Sequence, residues 1–383
     1  MHKPLIQFIQ KIYQTTDFIP LHEPTFSGNE KAYVADAIDS TYVSSTGYYV
    51  DKFEDDLTKL TSCKKSVSLV NGTSALSLAM YISNISINDL VITQPLTFVA
   101  TCNAIHHLGA KPIFIDVSLD SLGLDPVAVQ EYLEENAAID DDGNCILKET
   151  MQKIKAIIPM HTFGHPVDLD KFITICDDWN LSLIEDAAES LGSLYKGTHT
   201  GSIGRFGALS FNGNKTITTG GGGMLLCKNI AEGDRAKHLS TTAKLQHPYE
   251  YFHDEPGFNM RMPNLNAALG CAQLESLERS LVSKRIIADS YREFFLDKEA
   301  KFISEPNYAK SNYWLNAILC STESSKNQLL DYSNSQGVNM RPVWKLMYKL
   351  PMFKDSLKGE MRNAEKIESL LVNLPSSPKD INF

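Results

Sequence analysis

Long apolar runs are missing from this chain of 383 residues. A membrane span needs about 18 or more apolar residues in a row, and a secretory leader needs a continuous apolar stretch ending in small residues. Met1–Gln14 offers neither, because Leu5, Ile6, Phe8, Ile9, Ile12 and Tyr13 alternate with polar residues as on one face of a short helix. Basic excess is missing too. The 36 Lys and Arg stand against 46 Asp and Glu, a net charge of −10, so no general surface for nucleic acid or anionic lipid is expected. A small anionic substrate stays open, since a pocket needs only a few local cations. Paired cysteine motifs are also absent. The seven cysteines, at 63, 102, 145, 176, 227, 271 and 320, are odd in number and none has CxxC spacing. Neither a disulfide framework nor a zinc ribbon is indicated, and reduced thiols in the cytoplasm are the expectation.

Three familiar site patterns fail as well. Asn214-Lys215-Thr216 resembles the end of a P-loop, but that loop needs glycine at 209 and 214, where Leu209 and Asn214 stand. Gly220–Gly223 precedes an apolar strand and does not join a strand to a helix, so it is no dinucleotide fingerprint. His161 and His165 have the spacing of zinc ligands on a helix. Gly164 and Pro166 break that helix and no Glu follows His161, so no metal is expected and HTFGHP reads as a loop, with His161 near the site.

What is present is an ordinary globular composition, 43% hydrophobic and 21% charged, with a mean hydropathy of −0.18. The length exceeds that of a usual single domain. Short apolar runs at Ser66–Val70, Leu90–Thr93, Pro112–Val117, Lys155–Pro159, Leu181–Glu185, Gly207–Phe211 and Gly223–Cys227 predict strands. Between them, Thr73–Ser83, Val99–Leu108, Pro126–Asn136 and Asp168–Trp179 have helical period. Such alternation predicts an α/β fold with a mostly parallel sheet covered on both faces, and ligands beyond the carboxyl ends of its strands. The polar run Ala137–Gly143 predicts an exposed loop. After about residue 266 the pattern changes to one long helix, Asn266 to about Phe295, strands near Trp314–Cys320 and a final helix around Asn363–Val372. The expected division is a helical extension over 1–19, a large domain over 20–265 and a smaller C-terminal α+β domain over 266–383.

Four segments fall at expected strand ends. In Asn71-Gly72-Thr73-Ser74 a strand runs into glycine and hydroxyl residues before a helix, which suits a phosphate through free N–H groups and the helix dipole; simple helix capping explains the hydroxyls equally well. In Glu185-Asp186-Ala187-Ala188-Glu189 a carboxylate ends a buried strand, which is costly unless a cation pairs with it, although an N-cap is the plainer role. A protonated pyridine nitrogen would be such a cation. Ser210-Phe211-Asn212-Gly213-Asn214-Lys215 offers a hydroxyl for phosphate and an amine for an aldehyde, beside a glycine run that permits close backbone approach. Most lysines merely face solvent. Phe98, in Leu96-Thr97-Phe98, could stack on a flat ring or simply pack.

Taken in order, NGTSAL, PLTFVAT, EDAAESLG and SFNGNKTITTGGGG resemble the DegT/DnrJ/EryC1/StrS family of pyridoxal-phosphate (PLP) nucleotide-sugar aminotransferases. FIPLHEPTFSGNEK, GFNMRMPNLNAALGCAQLE, NYWLNAIL and MRPVWKLM extend the resemblance over nearly the whole chain and look like its LegC branch. The resemblance implies the fold-type-I aminotransferase architecture, PLP as cofactor, Lys215 as the Schiff-base lysine and Asp186 as partner of the pyridine nitrogen. Thr73, Ser74 and Ser210 would hold the phosphate, Phe98 would stack on the ring and Glu189 would lie near the ring or its hydroxyl. Asn259 would reach the phosphate of a neighbouring subunit's cofactor, making a homodimer with shared active sites. Arg261, Trp314 and Arg341 would serve the substrate. The implied reaction moves an amino group from L-glutamate to C4 of a UDP-linked 4-keto-6-deoxy-N-acetylhexosamine, for a surface glycan of legionaminic acid or bacillosamine type. The alternatives are a GDP- or dTDP-linked keto sugar, or a PLP-binding protein without transaminase activity. Two departures stand out: Gly220–Gly223 where many members have Gly-Glu-Gly-Gly, and Glu189 where His or Gln is common.

Overall fold

The computed structural model describes residues 2–379. Its principal sheet has eight strands in the order Lys65–Leu69, Gly223–Cys227, Phe206–Ser210, Ser182–Asp186, Ile154–Ile158, Leu90–Thr93, Lys111–Phe114 and Leu357–Lys358. Gly223–Cys227 runs antiparallel to both neighbours, and the strands from Phe206–Ser210 onward are parallel. Leu90–Thr93 is buried at every position, as expected of a strand with helices on both faces. The eighth strand comes from far along the chain: Leu357–Lys358 adds to the edge at Lys111–Phe114. Two residues are too short a run for any periodicity to reveal.

Ala137–Gly143 is not wholly a loop. Ala137–Ile139 pairs antiparallel with Cys145–Leu147, so the apolar residues on either side of the acidic turn close a small hairpin. The long helix expected from Asn266 is two helices, Asn264–Glu275 and Leu277–Phe295, parted at Ser276 (φ −103°, ψ 1°). The first lies against the helices Glu30–Asp39 and Tyr48–Thr61, burying Ala267, Ala268 and Cys271 with Phe53 and Leu57. The boundary expected at 265/266 therefore falls inside a helix belonging to the large sheet's side, and we propose the division at Ser276.

Beyond it, a second sheet is built from Lys301–Phe302, Asn316–Leu319, Leu371–Leu374 and Arg341–Pro342, all antiparallel. The N-terminal helix, His2–Tyr13, packs here: Leu5, Ile6 and Ile9 are buried with Ile287, Tyr291, Phe295 and Leu329, and Phe8 stacks on Phe294 at 4.5 Å. No helix among the described residues is long and apolar enough to cross a membrane.

The strand ends converge because glycine lets them. A Cβ on Gly223 would overlap the Asn71 carbonyl, and one on Gly72 would lie 2.9 Å from the Ser210 Cβ. Replacing Gly223 with alanine must displace the start of the helix Gly72–Ile82. Gly223→Ala is expected to cost about 1–3 kcal/mol of stability, read as a lower urea midpoint with an unchanged slope.

Candidate active site

Asp186 is the last residue of its strand, and the period of two separates it from Glu185. Glu185 turns to the opposite face, where it accepts hydrogen bonds from the Gly201, Ile203 and Gly204 amides and meets His161 Nε2 at 3.0 Å. Burial works to raise its pKa, but His161 and these amides hold it below the usual carboxylate range. His161 is thereby committed to Glu185 and lies outside the cavity lining, although it was expected near the site. Asp186 faces the cavity. It is 3% exposed, accepts from Thr101 Oγ1 at 2.6 Å and from the Ala188 amide at 3.2 Å, and has no ion pair with Lys or Arg among the described residues. Burial accordingly raises its pKa.

The cavity beside it encloses about 350 Å³ at the strand ends. Of the sequence candidates, Thr73, Phe98, Asp186, Glu189, Ser210, Lys215 and Trp314 line it. Ser74 does not: its amide donates to the Asn71 side chain at 2.8 Å, the N-cap of Gly72–Ile82. Capping by Asn71 leaves the Thr73 hydroxyl available to the cavity. Phe98 is half-exposed at its rim. Lys215 enters with its side chain 12% exposed, its Nζ 3.4 Å from Glu189 Oε1 and 4.1 Å from the centre of the Trp314 ring. Trp314 Nε1 donates to the Asn214 carbonyl at 2.7 Å. Glu189 accepts from the Phe163 amide at 2.9 Å, and burial raises its pKa to about 7.

Three expected residues lie elsewhere. Asn259 is exposed and its Oδ1 accepts from Arg261. Arg261 lines a different cavity, of about 860 Å³, with Lys237, Lys244 and His247. Arg341 is exposed on the small sheet, where it pairs with Asn373 and stands outside the lining. Asn71, Thr101, Met160, Asn212 and Trp344 also line the cavity, and all but Met160 stand in the motifs above without a role assigned to them. Thr101 gave no signal because its partner Asp186 is 85 residues away.

The donor set fits PLP. A buried carboxylate without a counter-ion would meet a protonated pyridine nitrogen, a helix N-terminus with Thr73 and Ser210 would meet a phosphate, and a shielded lysine would meet an aldehyde. Over residues 24–380 the chain matches the DegT/DnrJ/EryC1/StrS aminotransferase family. It belongs to that family.

It is thus a PLP-dependent aminotransferase of the fold-type-I architecture. The GDP-perosamine synthase of Escherichia coli O157:H7 is 34% identical over 361 residues, 94% of each chain. That of Vibrio cholerae is 33% identical over 363 residues, again 94% of each. The structure of Helicobacter pylori PseC, an aminotransferase of pseudoaminic acid biosynthesis, superposes with a TM-score of 0.84 at 22% identity, covering 94% of both chains.

Glu189 makes the cofactor-free enzyme's stability depend on pH. The folded chain keeps the Glu189 proton up to about pH 7, whereas an ordinary glutamate releases it near 4.5. Between these values the folded state binds more protons, so unfolding free energy falls as pH rises through the window and levels off above it. Glu189→Gln should remove this slope. The variant is expected to gain on the wild type by on the order of 3 kcal/mol from about pH 5 to about pH 8, measured by urea unfolding of cofactor-free protein.

Proposed function

We propose that this enzyme transfers an amino group from L-glutamate to the C4 ketone of a GDP-linked 4-keto-6-deoxy sugar, as a cytoplasmic step supplying a surface glycan. One observation carries the transaminase chemistry: the Lys215 amine and the buried Asp186 carboxylate line a single cavity, with Glu189 beside the amine. The GDP reading is supported by the two perosamine synthases, whose names specify that nucleotide. It replaces the UDP-linked N-acetyl sugar of the LegC branch as first choice. The likeness to PseC supports the fold alone and leaves that UDP sugar as the second reading.

In this reading, Thr73, Ser210 and the amides at the start of Gly72–Ile82 hold the cofactor phosphate, Phe98 covers one ring face and Asp186 keeps the pyridine nitrogen protonated. Bound PLP supplies an electron sink for the bond broken at the donor's α-carbon. Lys215 would anchor the cofactor through its Nζ, and the same Nζ, when free, would take the α-proton of the donor and hand a proton back on the far side of the transfer. Thr101 holds Asp186 in register, and Trp314 and Trp344 give the cavity an apolar wall.

Charge argues for a second subunit. Among the described residues lining the cavity, Lys215 is the only cation, against the carboxylates Asp186 and Glu189. A cofactor phosphate and a sugar diphosphate need more. Arg261, Lys237 and Lys244 line the second cavity, and the Lys244 ammonium lies 4.1 Å from the centre of the exposed Tyr251 ring on that face. A homodimer that brings this face, with Asn259, to the partner's cavity would supply those cations where a planar guanidinium grips phosphate well.

Purified enzyme with PLP and L-glutamate, offered GDP-, dTDP- and UDP-linked 4-keto-6-deoxy sugars, should aminate the GDP sugar with the highest kcat/KM, read by mass spectrometry. A preference for the UDP-linked N-acetyl sugar would return the second reading. For the shared site, Lys215→Ala and Asn259→Asp homodimers should each be inactive or severely impaired. Mixed under subunit exchange they should regain activity, because one site then draws both residues from undamaged copies; no recovery despite exchange would count against the dimeric site.

A further inference from the structure

Lys284, in the helix Leu277–Phe295, is fully buried with no carboxylate paired to it among the described residues. Its Nζ donates to three carbonyls: Ser376 at 2.7 Å, Trp314 at 3.2 Å and Tyr313 at 3.4 Å. Three N–H donors meet three acceptors, so the ammonium is fully coordinated, yet a buried cation without a counter-ion is costly. The cost shows in its pKa, which burial lowers to about 7. Such a group persists when something depends on it.

Two of its three acceptors belong to the turn Ser311–Trp314. Tyr313 has φ +47°, a left-handed conformation that is strained for a bulky side chain and survives only when its surroundings over-determine it. Its own side chains bind two of its amides: Ser311 Oγ accepts from the Tyr313 amide at 3.1 Å, and Asn312 Oδ1 from the Trp314 amide at 2.8 Å, while the Ser311 and Asn312 amides donate to Glu305 and Ser193 Oγ. The carbonyls of Tyr313 and Trp314 both converge on Lys284. From the end of this turn the Trp314 indole crosses to the anchor loop, where it binds the Asn214 carbonyl and lays its face over the Lys215 amine. The path from Lys284 to Lys215 is thus two hydrogen-bonded carbonyls, one side chain and one cation–π contact.

We propose that Lys284 is a positioning residue: it clamps the Tyr313–Trp314 turn and thereby sets the Trp314 indole that holds the Lys215 amine between itself and Glu189. The proposal rests on the reading of Lys215 as anchor and proton carrier. Without the clamp the turn relaxes toward ordinary φ, the indole tilts, and Lys215 Nζ loses one wall of its seat. Proton transfer at the donor carbon is sensitive to such displacement, since a misplacement of about 1 Å can cost roughly a hundredfold in rate.

The test uses Lys284→Met and the milder Lys284→Gln. Cofactor-free protein labelled with 5-fluorotryptophan gives a fluorine resonance for each of its three tryptophans, assigned by single Trp→Phe changes. In both variants the Trp314 resonance should shift or broaden while that of Trp179 stays in place. In the PLP-loaded enzyme, kcat with L-glutamate should fall by roughly ten- to a hundredfold, with KM for the sugar nucleotide little changed and a larger isotope effect from α-deuterated glutamate. Adding Lys284→Met to Trp314→Phe should cost no more than Trp314→Phe alone, because both act through one contact. An unmoved Trp314 resonance, or losses that add, would overturn the proposal. Failure of both variants to fold would overturn it too, since Lys284 would then determine folding and not position. The fluorine readout needs no cofactor, so it stands apart from the reading of Lys215, which fails separately if Lys215→Ala turns over.

Discussion

A carboxylate shut away from water at the end of a central strand governs the rest of this molecule. Asp186 could carry its charge cheaply only in water or in an ion pair, and among the described residues the fold gives it neither, while two hydrogen bonds fix its direction. The principal sheet, its covering helices and the glycines at its strand ends combine to present that unpaired charge to a cavity fitted for an aromatic cation bearing phosphate and aldehyde. In the proposed reading, PLP bound with its pyridine nitrogen at Asp186 would relieve a cost already built into the folded chain.

The same logic explains the division of labour between neighbours. Glu185 and Asp186 are adjacent in sequence and equally buried, yet one is fully satisfied by three amides and a histidine while the other awaits a partner. At Glu189, one turn further, burial raises the pKa to about 7 against the opposing pull of Lys215. Three acidic residues within five positions thus take three electrostatic states because the backbone sends each to a different environment.

The second sheet participates through its connections more than its bulk. The turn Ser311–Trp314 carries Trp314 back to the large sheet, and Asn312 binds the carbonyls of Glu189 and Leu191. The N-terminal helix precedes the matched family segment, which begins at residue 24, and packs on this smaller sheet. The carbonyl of Ser377 accepts from Tyr13, and the Lys379 ammonium donates to the carbonyl of Ile12, so the first helix and the segment Ser377–Lys379 are tied together.

Seven of the eight strands of the principal sheet were legible in the sequence, and so was the gathering of Thr73, Asp186, Ser210 and Lys215 around one cavity, because apolar runs of strand length and the residues that follow them are local patterns. Membership of the family was legible for the same reason: its motifs are contiguous. What lay beyond reach was whatever depends on distance along the chain. The break at Ser276 interrupts two helices of compatible period, and the two-residue strand Leu357–Lys358 exists only because an edge was waiting for it. Thr101 is an unremarked helical threonine until the fold carries it to Asp186, and Lys284 is one charged residue among 36 basic ones until three carbonyls from two remote segments surround it. The sequence by itself determined which chemistry the strand ends could perform. Only tertiary structure decided which groups orient that chemistry, because burial and hydrogen bonding between residues a hundred positions apart leave no trace in local order.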